Sequence, residues 1–168
     1  MTAIVGGILQ VFIPTHLLAI IVLGLLCGQG AKRFPGAALT ACAFGVTVGS
    51  FVIAAGVREQ NAVPFLLAIA GLSGLVVAVA WTIPSLAKQI SASATGGVLA
   101  LNSPPQEITI SAAVTSQIGT VLAALTTLAI VTWIATQAER PWQRIGIRIV
   151  GSWIAASAIF VLALRLPR

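Results

Sequence analysis

The chain has 168 residues, of which 58% are hydrophobic and 7% are charged, and its mean hydropathy is +1.08. A soluble domain of this length leaves too much of its surface in water to bury so many apolar side chains, so this composition excludes a soluble globular protein. The net charge of +6 does not indicate nucleic-acid binding, because the basic residues form no stripe or tail and fall between apolar segments. We therefore expect an all-α polytopic transmembrane helical bundle whose surroundings are the lipid bilayer.

Charge-free stretches of bilayer length recur along the chain and define the predicted spans. A hydrocarbon core about 30 Å thick requires about 20 apolar helical residues. Five spans are predicted in one membrane domain, at residues 4–28, 35–56, 63–83, 108–137 and 143–164. Pro14 lies inside the first span and predicts a kink there, because proline removes a backbone donor.

Small residues at four-residue spacing predict close helix contacts, since such stripes let two backbones approach each other. The stripes are Ala41, Gly45 and Gly49 in the second span, Ala70, Gly74 and Ala78 in the third, and Gly151 and Ala155 in the fifth. This small-xxx-small pattern favours packing between helices, including helices of other membrane-protein subunits.

Residues 85–107 are predicted to form a loop between the third and fourth spans. The segment is rich in Ser, Thr, Gly and Pro, which are typical of turns. We expect it to lie outside the membrane, or to form a re-entrant segment if other helices cover it.

Five spans place the two termini on opposite faces of the membrane. The nine Lys and Arg residues then divide five against four between the faces, with the larger set on the side of the C-terminus. Because cytoplasmic loops are enriched in Lys and Arg, this arrangement favours a cytoplasmic C-terminus.

His16 is the one ionisable residue well inside a predicted span. The chain has no Asp, and its three Glu lie at span ends, so a span offers no carboxylate to a hard metal ion or a proton. An intramembrane imidazole either hydrogen-bonds to a neighbouring helix or acts as a ligand or proton relay. Folding the chain at its first basic turn sets His16 level with the second span, so Thr15, Thr47 and Ser50 are its expected polar neighbours.

Geometry limits what His16 can bind. Cys27 follows it by 11 residues, which is roughly 16 Å along a helix, so the two side chains cannot share an ion. A transition metal, or a tetrapyrrole such as chlorophyll on one axial imidazole, remains open as a cofactor at His16. Haem in a membrane bundle usually takes two axial ligands, and the chain has one histidine.

The stretch from Phe12 to Gln29 contains Pro-Thr-His16, then a leucine-rich run with Gly24, and ends in Gln. It resembles the first conserved region of the HupE/UreJ family, small membrane proteins associated with nickel or cobalt uptake and with hydrogenase or urease maturation. The basic turn, the helix with Gly45 and Gly49 and the segment 148–156 are also similar. Only His16 matches a position of the family's metal motif, because Thr15 stands where the family has an acidic residue and the earlier His-Pro is missing.

The resemblance implies the family's helical scaffold in a bacterial inner or energy-transducing membrane. We expect a non-enzymatic subunit or accessory protein, such as an assembly factor, of a larger membrane complex. One alternative is a nickel or cobalt permease-like transporter that uses His16, and a further alternative is a pigment-ligating subunit that uses the same residue.

Overall fold

The computed structural model describes residues 2–31, 36–54, 62–81, 83–102 and 110–165. These residues form seven helices and no strand, which confirms the predicted all-α class. The helices are α1 (Thr2–Val11), α2 (Pro14–Gly28), α3 (Gly36–Ala54), α4 (Ala62–Val79), α5 (Ser85–Leu101), α6 (Ile110–Thr136) and α7 (Pro141–Arg165).

The apolar spans predicted from the sequence are confirmed as helices. Four helices, α3, α4, α6 and α7, are long and apolar enough to cross a membrane, and the pair α1 and α2 passes as a fifth if it is one broken span. The protein is therefore an integral membrane protein with a lipid bilayer as its surroundings.

The first span is broken rather than merely kinked at the predicted proline. The axes of α1 and α2 differ by 67° across residues 12–13. Ile13 is extended, with φ −59° and ψ 130°, and Pro14 begins α2. A residue before proline is disfavoured in the helical conformation, whereas proline fits the first turn of a helix, so the sequence ends one helix and begins another here.

Residues 85–101 form helix α5, so the prediction of a loop is wrong for this part of the segment. Residues 103–107 lie outside the described residues. Helix α5 packs along α3, and the small residues that indicated turns are the ones that allow this contact. The hydroxyl of Thr95 donates to the carbonyl oxygen of Ser91 at 2.7 Å, so a polar side chain is satisfied by its own helix.

Helix α5 runs the full height of α2 in the opposite direction. Near its start, Lys88 Nζ donates to the carbonyl oxygens of Cys27 and Gln29 at the end of α2, at 3.3 and 3.0 Å. At its end, Asn102 bonds to His16 in the first turn of α2, with 2.7 Å between the two nitrogens. Helix α5 therefore extends over the same height of the bundle as α2.

The contacts between the other helices show that successive helices from α2 to α7 alternate in direction. Helix α6 runs parallel to α2, since Gly24 meets Val131 and Gly28 meets Ala135. Helix α3 runs parallel to α5, and α7 runs antiparallel to α4. The beginnings of α2, α4 and α6 thus share one side of the bundle with the ends of α3, α5 and α7. The start of α2 and the end of α7 lie on the same side of the bundle.

The predicted small-residue stripes are used for packing within the chain. A Cβ atom at Gly45 or Gly49 would overlap the backbone of α5, at Ser93 and Gly97 respectively. The stripes of α4 and α7 meet each other, because Gly74 lies against the backbone of Gly151 and Ala155. Ala41, Ala70 and Ala78 are buried or half-buried along the same helices. A further stripe, Gly24 and Gly28 against α6, was not predicted.

Candidate functional site

His16 lies at the break in the first span and is almost completely buried, with 1% of its surface exposed. Its Nδ1 atom is 2.8 Å from the carbonyl oxygen of Gln10, which belongs to the last turn of α1. A carbonyl oxygen can only accept, so Nδ1 carries the proton and donates it. The same carbonyl oxygen accepts a longer bond, 3.3 Å, from the Ile13 backbone N–H, so the imidazole adds a second donor at the end of α1.

The other ring nitrogen of His16 is bonded to the end of α5. Asn102 Nδ2 lies 2.7 Å from His16 Nε2. Because Nδ1 holds the proton of the neutral ring, Nε2 has a free lone pair that accepts a hydrogen bond from the amide. The imidazole therefore joins α1, α2 and α5, and both of its nitrogens are satisfied by the protein.

A polar contact between α1 and α6 lies next to the hydrogen bonds of His16. The Thr120 hydroxyl, which is buried, lies 3.0 Å from the carbonyl oxygen of Gly7, 3.2 Å from that of Ser116 and 3.4 Å from Gln10 Oε1. One hydroxyl proton serves these three acceptors in turn. We call His16, Gln10, Asn102 and Thr120 the His16 cluster, which joins four helices at one end of the bundle.

A second polar pair connects α6 to α3. Gln117 Nε2 donates to Ser50 Oγ at 2.9 Å, and Ser50 Oγ donates to the carbonyl oxygen of Val46 at 2.8 Å. Gln117 precedes Thr120 by three residues on α6, so the two side chains are neighbours on the helix surface. The pair therefore continues the polar layer of the His16 cluster towards α3.

The structure gives His16 different partners from those expected. Thr15 is half-buried next to it in the chain, but the ring bonds to Gln10 and Asn102. Thr47 instead donates to Phe44 in its own helix at 2.7 Å, and Ser50 bonds to Val46 and Gln117. The reason is that α3 packs on α5, and α5 supplies the polar atom that approaches His16 from that side.

Asn102 was missed because its segment was interpreted as a loop. Its position does contain a signal, since an asparagine that follows the apolar run 98–101 is a common end of a helix. That signal predicts the helix end but not the contact, which joins residues 86 positions apart.

The hydrogen bonds and burial of His16 limit the cofactors that it could bind. Axial ligation of a tetrapyrrole requires a free imidazole nitrogen next to an open space, whereas His16 Nε2 is bonded to Asn102 and the ring is buried. The residues present do not fit a tetrapyrrole. A transition metal at Nε2 would have to displace the Asn102 amide. Within the described residues, no three His, Cys, Asp or Glu side chains come together.

Comparison with known proteins finds no match for this chain among family models, curated proteins or solved structures. The resemblance to the HupE/UreJ family thus remains a prediction based on the residues around His16.

Proposed function

We propose that the protein is a non-enzymatic subunit or accessory protein of a larger membrane complex, built on a HupE/UreJ-like scaffold. The observation that supports this proposal best is that both ring nitrogens of His16 are bonded within the chain, to Gln10 and Asn102. A histidine that is satisfied in this way serves to hold helices together, and an interhelical hydrogen bond is the common use of a polar side chain inside a membrane bundle.

The position of His16 supports a scaffold role. The break between α1 and α2 interrupts the regular backbone ladder, and unpaired backbone groups at membrane depth cost several kcal/mol each. The Gln10 carbonyl oxygen accepts from the Ile13 backbone N–H at 3.3 Å and from His16 Nδ1 at 2.8 Å, so His16 reinforces the break and ties it to the end of α5. A bundle stabilised in this way keeps its outer surface constant, which is what a subunit in a larger assembly requires.

The outer surface is consistent with lateral association. Large apolar side chains project from several helices, including Phe51, Trp153 and Phe160, which are 77%, 74% and 66% exposed. Lipid or the helices of other subunits can cover such side chains. Because the predicted small-residue stripes are used inside the chain, contacts with partners would rely on these larger side chains.

Native mass spectrometry after extraction in polymer-bounded lipid discs tests the proposal. We expect the chain in an assembly of fixed stoichiometry, well above its own mass of 17.1 kDa. Recovery of a single chain with lipid alone, under conditions that keep a known complex of the same membrane intact, would contradict the proposal.

A second candidate function, a nickel or cobalt permease, is favoured by one specific observation. Metal-binding imidazoles usually donate their other N–H to a backbone carbonyl, and His16 donates Nδ1–H to Gln10 in this way. The remaining nitrogen, Nε2, is held by an uncharged amide that a metal ion could displace. Broken spans of this kind form substrate sites in many transporters.

Uptake of radioactive nickel or cobalt by cells that express the protein separates the two candidates. The permease hypothesis predicts uptake above that of cells without the protein, lost in His16→Ala and retained in Thr47→Ala. The scaffold proposal predicts no added uptake in any of the three strains.

A further inference from the structure

An apolar groove of about 400 Å³ lies at the corner where α6 ends and α7 begins. Helix α6 packs on α1 and α2, whereas α7 packs on α4, so the two helices diverge from the corner and leave space between them. The groove is lined by Trp133, Ile134, Gln137, Ala138, Trp142, Gln143, Gly146 and Ile147.

Two tryptophans form the apolar walls of the groove. Trp133 and Trp142 are 57% and 65% exposed, so a ligand between them would cover aromatic surface that the chain itself leaves uncovered. Tryptophan is enriched where a membrane helix meets the headgroup layer. The groove therefore opens at a depth where a lipid has both its upper acyl chain and its phosphate.

Two arginines adjoin lining residues of the groove, Arg144 through its side chain and Arg140 through its backbone. Arg144 Nε donates to the carbonyl oxygen of Ala138, a lining residue, at 3.3 Å. The Arg140 backbone N–H is bonded to Oε1 of Gln143, another lining residue, at 3.0 Å. Residues 139–148 contain three Arg and one Glu, a net charge of +2. The N-terminal end of α7 adds the positive end of a helix dipole at the same place.

Gly146 keeps the groove open. A Cβ atom built there would meet nothing within 4 Å, whereas one at Gly151 in the same helix would overlap Val77. Glycine inside a helix costs about 1 kcal/mol relative to alanine. Packing within the chain does not require glycine at position 146, and the absent side chain leaves this wall of the groove open.

We propose that this groove is a binding site for an anionic phospholipid, with an acyl chain between Trp133 and Trp142 and the phosphate on Arg140 and Arg144. Basic pockets between membrane helices bind such headgroups, and arginine suits phosphate. The groove has the volume of a small-molecule cleft, which suits an acyl chain. This inference does not depend on the proposed function.

The test uses the full chain in detergent with phosphatidylglycerol or phosphatidylcholine of the same acyl length, and native mass spectrometry counts the lipid retained. We expect about tenfold preference for phosphatidylglycerol, because each arginine near a membrane surface contributes on the order of 1 kcal/mol. The double substitution Arg140→Gln and Arg144→Gln should remove the preference. Gly146→Leu should fill the groove and reduce retention of either lipid.

Gly6→Leu is the matched control, because a Cβ atom at exposed Gly6 also meets nothing within 4 Å. It should retain lipid as the wild type does, and thermal melting of all variants shows whether they are folded. Equal retention of the two lipids by the wild type would overturn the proposal. Unchanged lipid retention in Gly146→Leu would also overturn it. A wild-type dimer that Gly146→Leu dissociates would overturn it as well, since the occupant of the groove would then be a second copy of the chain.

Discussion

The two hydrogen bonds of the buried His16 ring require one tautomer of the neutral imidazole. The Gln10 carbonyl requires the proton on Nδ1, and the Asn102 amide requires the lone pair on Nε2. A protonated ring would have two donors, and Asn102 could then pair with it only by turning its amide oxygen towards Nε2. The cluster is therefore built for a neutral imidazole, which is the form that a membrane interior tolerates at lower cost.

Removing either member of the His16–Asn102 pair should destabilise the bundle. We expect His16→Ala and Asn102→Ala each to cost about 1–3 kcal/mol, because each leaves a polar group without its partner. The double variant should cost less than the sum of the two, by about 1 kcal/mol, since the pair is lost once.

Thermal melting in detergent measures these differences, at about 2–4 °C for each kcal/mol in a chain of this size. Thr47→Ala is the matched control, because the Thr47 hydroxyl bonds to Phe44 in its own helix and is exposed; it should melt as the wild type does. Strictly additive losses would contradict a direct hydrogen bond between the two residues.

At the scale of helices, packing against α3 stabilises the polar segment 85–101 as helix α5 within the bundle. Helix α5 contains many Ser, Thr and Gly residues and would be poorly stable alone. It gains van der Waals contact with α3 because Gly45 and Gly49 let the backbones touch. The residues that weaken α5 as an isolated helix are thus those that fit it against its neighbour.

Enlarging a glycine at this contact should separate the two helices. Gly45→Ala places a Cβ atom on the backbone of Ser93, so a neighbouring helix must shift, and overpacking of this kind costs about 1–3 kcal/mol. Gly97→Ala is the matched control on the facing helix, because its Cβ atom would lie 3.5 Å from the Gly45 carbonyl oxygen, an ordinary contact.

We expect Gly97→Ala to melt at or slightly above the wild-type temperature, since alanine favours helix. Gly45→Ala should melt lower. Similar melting of the two variants would indicate that α5 does not pack on α3 as described.

For the whole molecule, we predict that α5 adds a crossing to the four or five indicated by helix length and hydropathy, because it runs antiparallel to α2 along the bundle. Lys88 lies in the first turn of α5, Arg140 and Arg144 lie at the start of α7, and Arg148 Nε donates to the Ala78 carbonyl at the end of α4. All four share one side of the bundle.

Of the five Lys and Arg residues in the described ranges, four therefore belong to that side and Arg165, at the end of α7, belongs to the other. The excess of basic residues now favours this side as the cytoplasmic one. We therefore predict that the end of α7 lies on the side away from the cytoplasm, which is an alternative to the cytoplasmic C-terminus favoured by the sequence.

Labelling of single introduced cysteines tests both the crossing and the orientation. Ser85 and Ser111 are exposed and stand at the start of α5 and of α6. We expect a membrane-impermeant maleimide to label Ser111→Cys in intact cells and to label Ser85→Cys only after permeabilisation. The wild type controls for background, since its two cysteines, Cys27 and Cys42, are buried.

Labelling of both positions from the same side would contradict a crossing by α5. Labelling of Ser85→Cys alone from outside would keep the crossing and contradict the orientation.

The sequence by itself determined that this chain lies in a membrane, where its apolar helices are and where the first of them breaks. These features are local: a long apolar segment must satisfy its backbone as a helix in lipid, and Pro14 prevents the helix from continuing through residues 12–13. The small-residue stripes were also predictable, because their spacing is a property of one helix.

Only the tertiary structure decided that residues 85–101 are helical, that Asn102 meets His16 and that the stripes of α4 and α7 pack on each other. Each depends on groups far apart in the chain, because a polar segment becomes a stable helix only when α2 and α3 cover it. The antiparallel course of α5, and with it the side of the bundle to which Lys88 belongs, depends on that packing.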